Sequence, residues 1–173
     1  MIIDVLKNIA RFLILSLLQV LVISHVPLGS HFVLLPYVLF ILMLPFETPK
    51  IIVLFASFVL GLTMDAFYDT GGMHAAACVL MGFSRTHILK LISPREGYDN
   101  VMKPTVQYMG KTWFSTYALI LIFIHHFVFF YLEVFGFSEF FSTLLRALGS
   151  TLATFVFIYI VQFLFYRNDK ISI

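Results

Sequence analysis

Charge is what this sequence has least of. Lys, Arg, Asp and Glu make up 12% of its 173 residues and leave a formal net charge of only +2, against roughly 25% charged residues in soluble domains. The few cations are spread over several short loops, so no basic arm exists for nucleic acid, and none is expected as a partner. Cysteine is nearly missing too. Cys78 stands alone inside an apolar run, which excludes a disulfide framework and a Cys-rich metal site and leaves it as a small packing residue. No internal repeat, low-complexity tract or soluble domain is present. The first apolar block follows Lys7 and Arg11 and ends in Ser24-His25-Val26-Pro27 without a small-x-small cleavage site, so it is expected to be retained as a helix.

What the sequence has in abundance is apolar surface. Hydrophobic residues reach 61% and aromatic ones 17%, arranged in blocks long enough to span a bilayer, with polar punctuation between them. The spacing predicts an all-α bundle of six membrane spans at about 9–26, 32–46, 51–67, 72–92, 113–134 and 140–165, forming one membrane domain over 1–173. Pro27 and Gly29 end the first span. The second carries Pro36 and Pro45 and covers only about 22 Å, so it must be kinked, tilted little, or extended by its flanks. Pro49 suits the start of the third. A polar loop follows the fourth span over 93–112, long for a compact bundle and hence a place for function or motion. Trp113 and Tyr131 sit where amphipathic rings favour the two interfaces of the fifth span.

Six spans sort the charges by side. With the N-terminus in the cytoplasm, Lys7, Arg11, Lys50, Arg85, Lys90, Arg95, Lys103, Lys111, Arg167 and Lys170 fall on or near the cytoplasmic side, and the outer side receives Arg146. Asp65, Asp69, Glu133 and Glu139 fall on the outer side. An odd count would spoil this pattern, so both termini are expected in the cytoplasm.

Ionisable groups at membrane depth are costly unless paired or wet, and few occur. Asp65 and Arg146 are expected at similar depth near the outer boundary. Arg146 is expected to be neutralised by Asp65, Asp69 or Glu133, with snorkelling to the outer headgroups as the alternative. Arg85 is expected to snorkel to the cytoplasmic side. His125 and His126 are adjacent, so they project about 100° apart and cannot share one site. His74, just past the Gly71-Gly72 turn, suits a helix-start role near Asp69 better than a metal or proton site. No catalytic pair, cofactor loop or metal set emerges.

Small residues at four-residue spacing form a clearer pattern: Ser57 and Gly61, Gly72 and Ala76, Cys78 and Gly82, Gly149 and Ala153. In a bilayer these let helices approach closely. The many Phe residues around them would face lipid or another membrane protein.

Gly61-Leu62-Thr63-Met64-Asp65, the Gly72 turn and Met73-His74-Ala75-Ala76-Ala77 resemble the Gly-(x)3-Asp…Gly-x-His-Ala signature of the bacterial rod shape-determining protein MreD family. Ser93-Pro94-Arg95-Glu96-Gly97-Tyr98 is similar to that family's Pro-Arg-Glu-Gly-Tyr run after the fourth helix, and the length and span pattern agree along the whole chain. The resemblance implies a non-enzymatic inner-membrane scaffold of the cell-elongation complex. Such a scaffold binds the single-span protein MreC and helps couple MreB filaments to the peptidoglycan synthases RodA and a class B penicillin-binding protein. It also implies a fold similar to the six-helix substrate-binding subunits of energy-coupling-factor vitamin transporters. Gly61, Asp65, Gly72 and His74 carry over as motif positions, and Asp69 and Arg146 join them as charge candidates. Arg85, Lys90, Pro94, Arg95, Lys103 and Lys111 are candidate contacts for cytoplasmic partners or anionic lipid. The rival is a vitamin-binding transporter subunit. Those subunits dock through Ala-xxx-Ala on the first helix, where this chain has only Ala10.

Overall fold

The computed structural model describes residues 2–25, 32–99, 102–136 and 139–165. Pro27, Gly29, Arg167 and Lys170, invoked above as a span end and a basic tail, lie outside them. All regular elements among the described residues are helical. They are α1 (Ile2–Leu21), α2 (Leu39–Leu42), α3 (Lys50–Tyr68), α4 (Met73–Leu91), α5 (Val106–Met109), α6 (Lys111–Val134) and α7 (Phe140–Phe165), with 3-10 turns at Ile23–His25 and Pro36–Val38.

Four stretches are long and apolar enough to cross a membrane: Val5–His25, α3, α6 and α7. α4 matches α3 in length at 19 residues but carries His74, Arg85, His87 and Lys90, which lower its hydropathy. The outward faces are strongly apolar. Leu13, Ile14 and Leu17 on α1, Ile51, Phe55 and Leu62 on α3, and Phe141, Leu145 and Phe163 on α7 are all exposed. Water does not tolerate so much contiguous apolar surface on a monomer; lipid does. The Phe residues divide between roles, since Phe114, Phe129 and Phe130 are buried in the core.

Helix boundaries fall within a residue or two of the sequence expectation for α3, α4, α6 and α7. α1 begins earlier, because Lys7 and Arg11 lie on the same helix as the apolar run. The expected loop 93–112 contains one turn of helix, α5, whose start is capped by Thr105 Oγ1 accepting from Tyr108 N at 3.3 Å.

The second expected span is the main correction. Residues 32–35 are not helical, and helix runs only over 36–42. Pro36 sets the first turn and brings no amide. Non-helical backbone at membrane depth is tolerated only where protein satisfies it, and here neighbouring helices do so. Val33 N donates to Ser150 Oγ at 3.0 Å and Leu35 N to Thr154 Oγ1 at 3.2 Å, both on α7. Gln19 of α1 donates to Leu34 O at 3.3 Å. At the far end, Arg11 donates to Met43 O at 3.1 Å and Tyr117 of α6 to Leu42 O at 3.0 Å. Leu35 to Leu44 are buried throughout, so this broken segment is the axis around which the long helices pack.

α3 packs most extensively on α4, and α6 on α7 and α4. Gly61 explains the first contact. A Cβ there would fall on Ala75 Cα and within 2.5 Å of His74 O, so the two backbones touch. Further along the same contact, Gly82 of α4 makes room for the Ser57 side chain of α3. The expected pair Gly72 and Ala76 does not serve this contact: Ala76 faces outward and Ala75 takes its place. Gly149 packs under the Phe32 ring.

Candidate functional site

The bundle has two chemically distinct ends. At one, which we call the turn end, α3 passes to α4 through residues 69–72. Asp69 adopts the left-handed conformation (φ 54°) that closes α3, and Gly72 (φ 99°) precedes α4. Asparagine, aspartate and glycine tolerate this geometry best. Gly72 has no side chain to cap the new helix. Asp65 does it instead: Oδ1 accepts from His74 N at 3.0 Å and Thr70 Oγ1 at 2.6 Å, and Oδ2 accepts from Ala75 N at 2.9 Å. Asp65 is 6% exposed. Its charge faces the positive end of the α4 dipole, so it needs no cation.

His74 therefore does not take its helix-start role beside Asp69. Its amide is held by Asp65, and its ring turns inward, with Nδ1 2.6 Å from Tyr37 Oη. Tyr37 Oη also lies 2.9 Å from His125 Nε2, and Cys78 Sγ is 3.7 Å from the same nitrogen. Tyr37, His74, Cys78 and His125 are all buried. The phenol carries one proton, so it donates to one imidazole and accepts from the other, locking the broken segment to α4 and α6 together. His126 faces elsewhere, as adjacency requires. Its Nδ1 donates to Ile122 O at 2.9 Å, leaving Nε2 to meet Thr154 Oγ1 at 3.3 Å. Thr154 in turn accepts from Leu35 N. No group of three or more His, Cys, Asp or Glu among the described residues is arranged to hold a metal ion.

This Tyr37 node has no signature in the sequence. Its members come from three elements, of which only His74 and Cys78, one turn apart on α4, share a helical spacing; Pro36 beside Tyr37 hints that the segment breaks there.

At the opposite, basic end, Arg85 departs from expectation. It does not snorkel: it is 2% exposed. Nε donates to Tyr117 Oη at 2.8 Å, and Nη2 donates to Leu44 O and, at 3.4 Å, to Pro45 O. The Leu44 carbonyl is left over where α2 stops, and the guanidinium reaches it and Tyr117 together; Pro45 O also accepts from Thr48 N at 3.2 Å and Thr48 Oγ1 at 2.9 Å. Arg85 is thus a cap inside the protein and is unavailable to cytoplasmic partners. Replacing it with methionine is expected to cost about 1–3 kcal/mol, because the buried Leu44 carbonyl loses its donor and the buried Tyr117 hydroxyl loses a partner. Lysine is expected to restore little, since an ammonium cannot reach Tyr117 and Leu44 together. Unfolding of the purified variants in mixed micelles measures both.

The other basic-end candidates are exposed: Lys50, Lys90, Pro94, Arg95, Lys103 and Lys111. The Lys50 ammonium sits 4.4 Å over the Phe83 ring and that of Lys103 5.7 Å over Tyr108. The loop carrying Pro94 and Arg95 is anchored by Tyr98, whose ring stacks on Phe46 at 4.2 Å and whose hydroxyl donates to Leu89 O at 2.8 Å. Partial burial pushes the Tyr98 phenol up from its ordinary value. Trp113 closes the same corner, its Nε1 donating to Ile92 O at 3.0 Å.

Arg146 is neutralised by Glu133, with Nη1 2.8 Å from Oε2. The pair lies at the bundle surface, the two side chains 31% and 38% exposed, with the guanidinium 4.4 Å over the Phe130 ring. Asp65 and Asp69 take no part in it. No protein-family model, no curated protein and no solved structure matches this chain.

Proposed function

We propose that this chain is a non-enzymatic membrane scaffold of the rod complex, similar to the MreD family, with six bilayer crossings and both termini in the cytoplasm. The observation that carries the reading is that the motif residues act as one unit. Gly61 sets the contact with His74 and Ala75, Asp65 caps their amides, and Gly72 makes the turn between. Residues that resemble a family signature and also build one rigid hairpin support the resemblance better than the string alone.

Six crossings are supported by the way neighbours meet. α1 touches Met43 through Arg11 and Leu34 through Gln19, so residues 34–43 run back along α1. Four extended residues and seven helical ones cover roughly 24 Å. With α4 returning beside α3, the four apolar helices and these two segments give an even number of crossings. That parity puts Lys50, Lys90, Arg95 and Lys111 on one side.

In this reading the exposed apolar faces hold an MreC-like transmembrane helix in the inner membrane. The basic end meets MreB, RodA, a class B penicillin-binding protein or anionic lipid. Reversing Lys90, Arg95 and Lys103 to Glu is expected to lower recovery of the partner at that end roughly fivefold or more, and to leave an MreC-like helix on the apolar faces in place. Unchanged recovery and normal cell shape would contradict the role of that end. The second reading, a substrate-binding subunit of a vitamin-type transporter, is favoured by a cleft at the turn end. A tightly co-purifying vitamin and no MreC-like partner would select it.

A further inference from the structure

The cleft at the turn end has a volume of about 320 Å³, at the small end of the range for small-molecule sites. It opens between α1, residues 32–35, the α3–α4 turn, the end of α6 and the start of α7. Its wall is aromatic. Phe32, Tyr68, His74 and Phe129 line it, with the His74 ring 4.4 Å from Phe129 and 5.5 Å from Tyr68. Its charged lining is the pair Glu133 and Arg146.

Two lining residues keep polar atoms without partners. One is Gln19 Oε1, on a side chain 2% exposed; the other is Arg146 Nε. Gln19 is not free to turn, because its Nε2 donates to Leu34 O at 3.3 Å and to Tyr68 Oη at 3.1 Å. An oriented buried acceptor and an unused guanidinium donor on the lining of one cleft make a site short of a ligand. The ligand's chemistry follows from the charges. An anion alone would meet Glu133, a cation alone would meet Arg146, an apolar molecule would leave Gln19 and Arg146 unsatisfied, and a neutral hydroxyl compound would serve those two atoms but neither charge.

We propose that the cleft binds a zwitterionic group of the phosphoethanolamine type, its phosphate oxygen on Arg146 and its ammonium on Glu133. Gln19 Oε1 accepts a hydrogen from the ligand, and the ligand's carbon skeleton lies on the aromatic wall. The same chemistry occurs as a phospholipid headgroup and as a free small molecule. The site stands whichever partner the apolar faces meet.

The test uses the full chain, delipidated in detergent. Phosphatidylethanolamine or phosphatidylglycerol is added at equal concentration, and adducts are counted by native mass spectrometry. The expected result is at least a tenfold preference for phosphatidylethanolamine, lost in E133Q and in R146Q, with free phosphoethanolamine competing. Thermal stabilisation by free phosphoethanolamine without a lipid adduct identifies the free molecule as the source and upholds the site. Equal retention of both lipids, insensitive to both substitutions, or no response to any probe, overturns it. Should the variants not fold, the unsubstituted chain is photolabelled with phosphatidylethanolamine carrying a diazirine near the head of one acyl chain. Labels on Phe32, Tyr68 or Phe129 support the site, and labels confined to other faces overturn it.

Discussion

Replacing Gly61 with valine is expected to force α3 away from α4 and to lower the free energy of unfolding by about 3 kcal/mol or more. The size follows from what the new side chain would meet. Its Cβ would overlap Ala75 Cα and crowd His74 O and Ala75 N, which are backbone atoms that no rotamer change can move aside. The contrast is Gly149, where the obstacle is the ring of Phe32, a side chain able to turn. Gly149→Ala is expected to cost less than Gly61→Ala for that reason. Unfolding by dodecyl sulfate, followed by helical circular dichroism, orders the two. Equal losses would contradict the backbone contact.

Asp65→Ala is expected to be comparably damaging, at about 3 kcal/mol, because it strips the acceptor from two buried amides at once. His74 N and Ala75 N would be left facing the space where the carboxylate stood, and Thr70 Oγ1 would lose its partner. Asp65→Asn keeps one acceptor oxygen but turns an NH2 toward a donor, so a loss of roughly half is expected. If Asp65 instead served as counter-ion to a distant cation, alanine and asparagine would cost the same. Combining either with Gly61→Val separates the two contributions. The residues act on one helix start, so the double variant is expected to lose less than the sum of the single ones.

The α3–α4 hairpin was legible in the sequence because its signals are local. Asp65, the two turn glycines and His74 lie within ten residues of one another, and each type has a strong positional meaning. The charge asymmetry between the ends was legible for a similar reason, since Lys and Arg report on sides by counting alone. The Tyr37 node was not legible, because Tyr37, His74 and His125 come from elements far apart in sequence. Arg85 was misread for a physical reason. A buried arginine and a snorkelling one look alike when the acceptor is a backbone carbonyl, and Leu44 lies far from Arg85 in the chain. Pro36 and Pro45 signalled that the second span was irregular. They did not signal that Ser150, Thr154, Gln19, Tyr117 and Arg11 would satisfy its backbone, and those polar side chains on otherwise apolar helices have their explanation there.

Tyr37→Phe is a smaller test of the same axis. Two buried ring nitrogens would lose the hydroxyl between them, with an expected loss of about 1–3 kcal/mol. The fold should survive, since the phenyl ring keeps the packing against His74 and His125.

The broken segment decides how many times the chain crosses the membrane, and that number decides which residues can meet which partners. Labelling of single cysteines with a membrane-impermeant maleimide, in a Cys78→Ala background and in intact cells, measures it directly. Six crossings give labelling at Asp69→Cys from outside and none at Lys50→Cys or Arg95→Cys until the membrane is opened. Labelling of Lys50→Cys or Arg95→Cys in intact cells would contradict that arrangement, and with it the assignment of the basic end to the cytoplasm.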